Sequence, residues 1–302
     1  MVTRLFHKLN IIMIKLKSIW SQLLFLPVVA LFAVSCGSDD DDDDDGMIKN
    51  ESGSKMVKLT VNGVSFNMIR VDGGTFQMGA TTEQTMSGTK IDDHEFPVHK
   101  VKLDTYYLAE TEVTKELYNA VMGGENSSDL YHPEYGEWDY FDKFIRKLNE
   151  LTGRKFRFPT EAEWEFAARG GNKSKGYIYP GSNYCVTVGW YYCNSGEGYL
   201  AESNWNWWTM KGNKCDTHVV ATAMPNELGF YDMGGNIYEW CADWYGPYSA
   251  EDQVNPKGPE TGTSRVCRGG SYAHFSVESR CSHRRGSPLN ERVYWGLRLA
   301  MD

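Results

Sequence analysis

The stretch that decides the fold is residues 225–240, which read PNELGFYDMGGNIYEW. Its glycines give the backbone the freedom that tight turns require, and its aromatic side chains offer large surfaces to bury. Two shorter blocks share this character: RGGSY at residues 268–272 and GLRLA at residues 296–300. With 30 Gly, 18 Tyr and 10 Trp among 302 residues, the sequence predicts many turns anchored by buried aromatic rings.

Upstream of these blocks the sequence predicts short strands. Residues 57–69 alternate around Asn62-Gly63, a dipeptide typical of two-residue hairpin turns. Residues 74–78 and 98–108 also have the composition of strands. After Gly170, Pro and Gly punctuate long loops and short strands, so we expect an α+β fold with little regular secondary structure.

Three helices are predicted from apolar periodicity and end signals. The first covers residues 115–122, after Thr114 and before Gly123. The second covers residues 140–151, with an apolar stripe that ends at Gly153. The third covers residues 160–169 and opens with TEAE, a capping box in which threonine and glutamate side chains satisfy free backbone N–H groups.

Composition and charge exclude several classes of protein. The chain is 41% hydrophobic and 14% aromatic, which excludes a disordered protein. Lys plus Arg number 31 and Asp plus Glu number 40, for a net charge of −9. Because general nucleic-acid binders carry a basic surface, we expect no nucleic-acid partner.

Residues 1–36 predict an export signal and not a part of the fold. Two lysines precede an apolar run over residues 23–34, which is too short to span a bilayer comfortably. The sequence Ala33-Val34-Ser35 before Cys36 resembles the lipobox of bacterial lipoproteins, in which that cysteine is acylated. An ordinary signal peptide with an incidental Cys36 is the alternative.

The segment that follows, residues 37–56, predicts a flexible acidic tether, because seven consecutive aspartates repel one another and cannot be buried. Residues 57–302 then form one large domain. We therefore expect an exported protein whose lipid anchor holds it to the membrane of the bacterial cell envelope, with the outer membrane as the expected site.

Six blocks in order resemble the formylglycine-generating enzyme, or sulfatase-modifying factor, family. They are VDGGTFQMG (71–79), ETEVT (110–114), FPTEAEWEFAARGG (158–171) and the three blocks described above. The resemblance covers residues 69–301 and implies that family's variant of the C-type-lectin fold.

The resemblance also implies where catalysis would occur. Enzymes of this family use copper held by two cysteines to oxidise a cysteine of a client sulfatase to formylglycine. Counted from Tyr272, the two cysteine positions carry His274 and Ser279, while the family active-site residue Ser271 is present. Cu(I) prefers soft thiolate ligands, so we expect no copper and no catalytic residue here. A formylglycine-generating oxidase that matures sulfatases is the alternative.

Residues 232–239 resemble the calcium loop of the family. The implied ligands are the side chains of Asp232 and Glu239 with the carbonyls of Gly235 and Ile237. Hard oxygen donors on a glycine-rich turn suit Ca²⁺, so a structural calcium ion is predicted. The alternative is that the two carboxylates only cap a turn.

Residues 273–295 mix aromatic, arginine and small polar side chains without helical or strand periodicity, which is the composition of a binding surface. In the variable proteins of diversity-generating retroelements, which this chain resembles, the corresponding stretch is hypermutated. The predicted contacts to an unknown protein or glycan ligand are His274, Phe275, Arg280, His283, Arg285, Arg292, Tyr294 and Trp295. Alternatively, the arginines Arg280, Arg284, Arg285 and Arg298 form buried ion pairs.

Two further features leave alternatives open. Six cysteines beyond Cys36 allow disulfides, with Cys185–Cys193 favoured, or buried free thiols. Trp205, Trp207 and Trp208 form either a sugar-binding patch or the small core of a loop. The sequence therefore predicts an anchored, non-catalytic ligand-binding or structural module.

Overall fold

The computed structural model describes residues 48–49, 53–85, 91–124 and 128–302. Thirteen strands occur in these ranges. They are β1 (Ile48–Lys49), β2 (Lys55–Val61), β3 (Val64–Val71), β4 (Gly74–Met78), β5 (His99–Leu103), β6 (Tyr106–Ala109), β7 (Phe156–Arg157), β8 (Tyr238–Trp244), β9 (Gln253–Val254), β10 (Ser264–Arg268), β11 (Arg284–Pro288), β12 (Trp295–Gly296) and β13 (Ala300–Met301).

The strands of the described residues form three small sheets. Their orders are β1-β2-β3-β6-β13-β7, β11-β10-β8-β12 and β4-β5-β9. In the first sheet, β13 pairs antiparallel with both β6 and β7, so the last strand of the chain lies beside its early strands. In the second, β8 pairs with β10 and with β12, which brings the stretch 225–240 beside the two other glycine-rich blocks.

The helices of the described residues are short apart from one. They are α1 (Thr82–Thr85), α2 (Lys115–Met122), α3 (Trp138–Thr152), α4 (Glu161–Ala168), α5 (Cys185–Val188) and α6 (Trp207–Gly212). Single 3₁₀ turns occur at Asp93–Glu95, Gly171–Lys173, Glu202–Asn204 and Ser276–Ser279. The α+β fold class is confirmed.

Local end signals account for the three predicted helices. Thr114 Oγ1 accepts a hydrogen bond from the Leu117 amide at the start of α2, and Gly123 closes that helix with φ of 83°. The capping box of α4 is complete, with Thr160 and Glu163 each accepting from the other's backbone N–H. The prediction for α3 is confirmed apart from its ends, which extend it by two residues at the start and one at the finish.

The predicted hairpin is also confirmed. β2 pairs with β3 from Met56–Ile69 to Val61–Val64. Asn62 and Gly63 both have positive φ, as a two-residue turn that follows the twist of the strands requires. The predicted strand over residues 98–108 is instead two strands, β5 and β6, with Asp104 and Thr105 between them.

Two aromatic-rich cores lie on either side of these sheets. One packs α2 and α3 against the first sheet around Phe141, Phe144 and Trp240, which are all fully buried. The other surrounds α4 and includes Trp164 and Phe166. A third, smaller cluster holds the loops between residues 179 and 215 together. The aromatic side chains therefore anchor the turns, as the composition predicted.

The predicted export signal and most of the tether lie outside the described residues, and so does Cys36. β1 and the first two residues of β2, Lys55 and Met56, belong to the segment predicted as tether, so the first sheet includes four residues from before position 57. Among the residues that the structure describes, no helix is both long and apolar enough to cross a bilayer.

Candidate functional site

The two glycine-rich blocks 225–240 and 268–272 meet at β8 and β10, directly before Ser271. Gly269 and Gly270 both have positive φ and turn the chain sharply at the end of β10. A Cβ atom on Gly270 would lie 2.9 Å from Ser279 Oγ, so only glycine fits this close approach. The turn therefore brings Ser271 and Ser279 into one small region.

His274 hydrogen-bonds to Ser271 in this region. Ser271 Oγ and His274 Nδ1 lie 2.5 Å apart, and the Ala273 amide donates to the same hydroxyl at 3.3 Å. Burial, together with the positive charge of Arg285, lowers the pKa of His274 to about 4, so the imidazole is neutral at physiological pH. Ser271 is fully buried, so its hydroxyl cannot meet a substrate in this arrangement.

A second part of the network surrounds His274. Tyr238 donates its hydroxyl to Glu278 Oε2 at 2.5 Å. The same carboxylate oxygen lies 3.9 Å from His274 Nε2, which is beyond hydrogen-bond distance. The Arg285 guanidinium lies over the rings of Tyr238 and Trp295. Ser271, His274 and Glu278 therefore do not form the continuous hydrogen-bonded triad that acyl transfer requires.

One thiol, that of Cys185, lies beside the second of the two family cysteine positions. Cys281 is fully buried and its sulfur contacts the carbonyls of Ala168 and Tyr177. Cys185, which sequence analysis did not connect with this region, lies beside Ser279, and burial raises its pKa to about 12. The six described cysteines are free thiols. One thiol and one committed imidazole do not fit a Cu(I) site built on two thiolates.

Glu239, a predicted calcium ligand, is bound by protein groups instead. Arg298 donates to both of its oxygens at 2.6–3.1 Å, and the Trp164 indole donates to Oε2 at 2.6 Å. The described residues contain no group of three or more His, Cys, Asp or Glu side chains placed to hold a metal ion. In this arrangement Glu239 does not fit the predicted cage, and the calcium site stays a prediction.

Asp232 is the other carboxylate of that loop. It is buried, and only one of its two oxygens accepts a hydrogen bond. Its Oδ2 accepts from the Ala221 amide at 2.6 Å, while Oδ1 has no hydrogen-bond partner. Glu112 is nearby, and neither of its oxygens has a hydrogen-bond partner. Burial raises the pKa of Asp232 from 3.8 to about 6. The charged form of Asp232 therefore costs stability near neutral pH.

This pKa shift predicts that Asp232→Asn stabilises the domain above pH 6. Between about pH 4 and 6 the folded state keeps a proton that the unfolded state has released, so stability falls as pH rises through that window. In EGTA we expect a gain of up to about 3 kcal/mol at pH 7.5 and almost none at pH 4, measured by urea denaturation. Asparagine also tolerates the positive φ of 58° at this position.

The same samples in excess CaCl₂ test the predicted calcium site. A calcium ion bound by the Asp232 carboxylate would stabilise the wild type and not the variant, and would reverse the order of their stabilities. A wild type that is already more stable than Asp232→Asn in EGTA at pH 7.5 would contradict the pKa argument itself.

The predicted binding residues divide into interior and exposed groups. Arg280 is fully buried, with its guanidinium on Glu95 at 2.6 and 2.8 Å, and Trp295 is 4% exposed. His274, Phe275, His283 and Tyr294 are partly exposed, and Arg285 and Arg292 are exposed. Only the second group can contact a ligand without rearrangement.

For four arginines the alternative prediction was a buried ion pair, and three of the four form one. Arg280 pairs with Glu95, Arg284 with Glu161, and Arg298 with Glu239. Arg285 is the exception and lies on the surface. The composition of residues 273–295 thus mixes a structural role with a surface role, which explains its lack of periodicity.

An aromatic loop adjoins this surface. Trp205 donates its indole N–H to the Ala273 carbonyl at 2.9 Å, and its ring contacts Phe275 edge-on at 6.1 Å between centroids. Trp207 and Trp208 are 60% and 76% exposed, so they are not the core of their own loop. We name the exposed residues Trp205, Trp207, Trp208, Phe275, Arg285, Arg292 and Tyr294 the aromatic–arginine face.

Comparisons with known proteins agree with this architecture. Residues 56–302 match the family model described as "Sulfatase-modifying factor enzyme 1-like domain". The chain is 36% identical over 298 residues to the formylglycine-generating enzyme of Thermomonospora curvata, covering 79% of this chain and 94% of that enzyme. It is 43% identical over 117 residues to chaperone protein LppX of Paenibacillus barcinonensis, covering 39% of this chain and only 38% of LppX.

Among solved structures, Treponema denticola variable protein 1 superimposes with a TM-score of 0.66 at 27% identity. The alignment covers 82% of this chain and 98% of that protein. The resemblance seen in the blocks of sequence therefore extends to the three-dimensional arrangement of the whole described domain.

Proposed function

The chain belongs to the sulfatase-modifying factor family, and we propose that it is a non-catalytic member of that family, a ligand-binding module anchored to the cell envelope through Cys36. The observation that carries this proposal is the bond between Ser271 and His274. A partly buried, neutral imidazole occupies the first position where the resemblance places a copper thiolate, and the hydroxyl of Ser279 occupies the second.

The aromatic–arginine face is the proposed ligand-binding surface. Tryptophan, tyrosine and arginine side chains dominate the energetics of protein recognition, because they combine large apolar area with directional polar groups. The loop of Trp205 is tied to residues 273–275 by a hydrogen bond and a ring contact, so both parts form one surface. The buried Arg280–Glu95 pair ties residues 273–295 to Glu95, at a position in the chain between Phe275 and Arg285.

A finer version of this proposal follows from the solved relative, whose name is variable protein 1. We propose that a retroelement diversifies the gene segment that encodes residues 273–295, so that this stretch differs between related copies of the protein. DNA sequencing on both sides of the gene checks this version: a near-copy of the segment encoding Ala273–Trp295 should lie beside a reverse transcriptase gene, and a neighbourhood with neither contradicts it.

The non-catalytic proposal predicts that the protein does not modify sulfatases. The full chain, supplied with stoichiometric Cu(I), dioxygen and a reductant, should leave a synthetic peptide carrying the target cysteine of a sulfatase unchanged in mass. A formylglycine-generating enzyme run in parallel provides the positive control. Conversion of the peptide by this chain, lost in His274→Ala, would overturn the proposal.

One observation favours the alternative oxidase. The Cys185 thiol lies beside Ser279, so a thiol from a loop partly replaces the missing family cysteine. In a copper site with Cys185 and His274 as ligands, His274 would have to break its hydrogen bond with Ser271. Cys185 would also have to lose its proton, although burial raises the pKa of its thiol. If the wild type converts any of the peptide, the same assay with Cys185→Ser therefore shows whether this thiol takes part, as the oxidase alternative requires.

A further inference from the structure

A large cavity is lined by none of the residues of the aromatic–arginine face. It has a volume of about 780 Å³, within the range of small-molecule sites, and lies between α3, β7 and the ends of β8 and β10. Its wall includes Trp138, Phe156, Phe158, Lys257 and Arg265. None of the predicted binding, copper or calcium residues lines it. We name it the Arg265 cavity.

Arg265 is held in this cavity between two indole rings. Its guanidinium carbon lies 3.6 Å from the centre of the Trp244 ring and 4.6 Å from that of Trp138. Both indole rings therefore lie within cation–π distance of the guanidinium. One nitrogen, Nη1, donates to the Ala242 carbonyl, and Nε is buried without an acceptor.

Arg265 has no carboxylate partner in the described part of the chain. Every other described arginine that is at least partly buried has a carboxylate oxygen within 4.0 Å, and these are Arg70, Arg157, Arg169, Arg268, Arg280, Arg284 and Arg298. Burial lowers the pKa of Arg265, and the negative charge of Asp243 partly opposes that shift. A partly desolvated guanidinium with no carboxylate of the described residues within 4.0 Å favours an anion as its partner.

Apart from Arg265 and Lys257, the charged groups that line the cavity are two cations, Arg146 and Arg157, and four carboxylates, Asp104, Asp142, Glu163 and Asp302. Arg157 binds Glu163 and Asp302, and Arg146 binds Asp142. Asp104 accepts from the Asn255 amide at 2.8 Å and faces no cation in the described residues of the wall. Lys257 is exposed at the rim and makes no ion pair with any described carboxylate. The two cations available to a ligand are therefore Arg265 and Lys257.

An irregularity in the sheet directs Arg265 toward this cavity. Arg265 lies opposite Trp244 on β8, whereas Cys267 lies opposite Trp240, so the register shifts between the two positions. Bulges of this kind re-aim a side chain and occur often beside functional sites. The shift brings the guanidinium against the ring of its own cross-strand partner, Trp244.

We propose that the Arg265 cavity binds an organic carboxylate attached to an apolar, ring-bearing body. A carboxylate can accept hydrogen bonds from guanidinium N–H groups that the Ala242 carbonyl does not occupy. Arg265 has no carboxylate of the described residues within 4.0 Å, and Phe156 and Phe158 offer apolar surface to the body of the ligand. A free small acid and the C-terminal carboxylate of a peptide share this chemistry.

The test uses phenylacetate and its neutral amide as matched probes on the full chain. The Nε–H signal of Arg265 in an arginine ¹⁵N-labelled sample should shift saturably with phenylacetate. Phenylacetamide should bind at least about tenfold more weakly, because it lacks the charge that strengthens the hydrogen bonds. N-acetyl-Gly-Phe with a free or an amidated C terminus then distinguishes a peptide from a small acid as the source.

Variants separate this site from the aromatic–arginine face. Because these variants lack the Arg265 signal, calorimetry measures their binding: Arg265→Gln should abolish phenylacetate binding, and Arg265→Lys, which keeps the charge without the planar guanidinium, should weaken it at least about tenfold. Arg285→Gln, which removes an exposed arginine on the other face, should leave binding unchanged. Thermal unfolding of each variant shows whether it is folded.

Three results would overturn the proposal. They are equal binding of acid and amide, tighter binding of inorganic phosphate than of phenylacetate, and no response of the wild type up to about 10 mM, which corresponds to negligible affinity. Because the proposal does not depend on the aromatic–arginine face, none of these results bears on the proposed function.

Discussion

Replacing Arg298 by methionine should destabilise the domain by about 3–5 kcal/mol, the usual cost of breaking a buried ion pair by removing one partner. Arg298 is fully buried and is the cation bound to Glu239. Its remaining donors reach the carbonyls of Ala109, Glu110 and Tyr231 at 2.8–3.0 Å. One side chain therefore joins the end of β6, the loop before β8 and β8 itself.

The variant should lose much of its stability because the buried site contains more carboxyl groups than the single positive charge of Arg298 can neutralise. Glu112 and Asp232 both interact electrostatically with Arg298, and burial raises the pKa of both. Methionine has a similar length but leaves the Glu239 carboxylate and three carbonyls without these donors. The expected loss is a large fraction of the 5–15 kcal/mol that stabilises a typical domain.

Urea denaturation measures this loss of stability, and two further variants serve as controls for its interpretation. Arg285→Met removes an exposed arginine without an ion-pair partner among the described acids, so its stability should stay within about 0.5 kcal/mol of the wild type. Glu239→Gln combined with Arg298→Met should lose less than the two single changes added together, because neither charge is then left alone. A loss below about 1 kcal/mol for Arg298→Met would contradict the argument.

Local signals in the sequence explain which parts of the fold could be predicted. The hairpin at Asn62-Gly63 and the helix beginning after Thr160 depend on contacts between residues a few positions apart. The capping box, the positive φ of Gly123 and the two-residue turn are all fixed by the chemistry of neighbouring residues. These elements were therefore predicted to within a few residues.

The contacts that define the candidate site could not be predicted, because they join distant positions. Arg280 reaches Glu95, which is 185 residues away, and is buried where the sequence suggested a surface residue. Cys185 reaches Ser279, and Trp205 reaches Ala273, both from loops without periodicity. An arginine in a segment of irregular structure has the same sequence signal whether it binds a ligand or an internal carboxylate.

The resemblance to a family predicted the fold within which these contacts occur. It placed Ser271, His274 and Ser279 in one region, and the structure brings these positions together through the turn at Gly269 and Gly270. The Arg265 cavity lies outside the family's known site positions, and its signal was a pair of tryptophans, Trp138 and Trp244, more than 100 residues apart. Only the fold shows that they enclose one arginine.

Introducing both family cysteines, His274→Cys with Ser279→Cys, should create a Cu(I) site. The wild type offers an imidazole committed to Ser271 and a hydroxyl, which are poor ligands for a soft cation. Two thiols at these positions, with the Cys185 thiol beside the second, supply the ligands that Cu(I) prefers. We expect the affinity for Cu(I) to rise by at least about a thousandfold, since two of its ligands are gained.

Competition with a chelator specific for Cu(I), under a reductant that keeps the thiols free, measures this change. The single variant Ser279→Ala is the matched control: it removes the hydroxyl without adding a thiol and keeps His274 on Ser271. If the added thiols are what copper needs, only the double variant should retain one equivalent of metal. Its melting temperature without copper shows whether loss of the Ser271–His274 bond has left the domain folded. A wild type that holds one equivalent of Cu(I) as tightly as the double variant would show that His274 and Cys185 already form a copper site, and the chain would then be an oxidase with rearranged ligands.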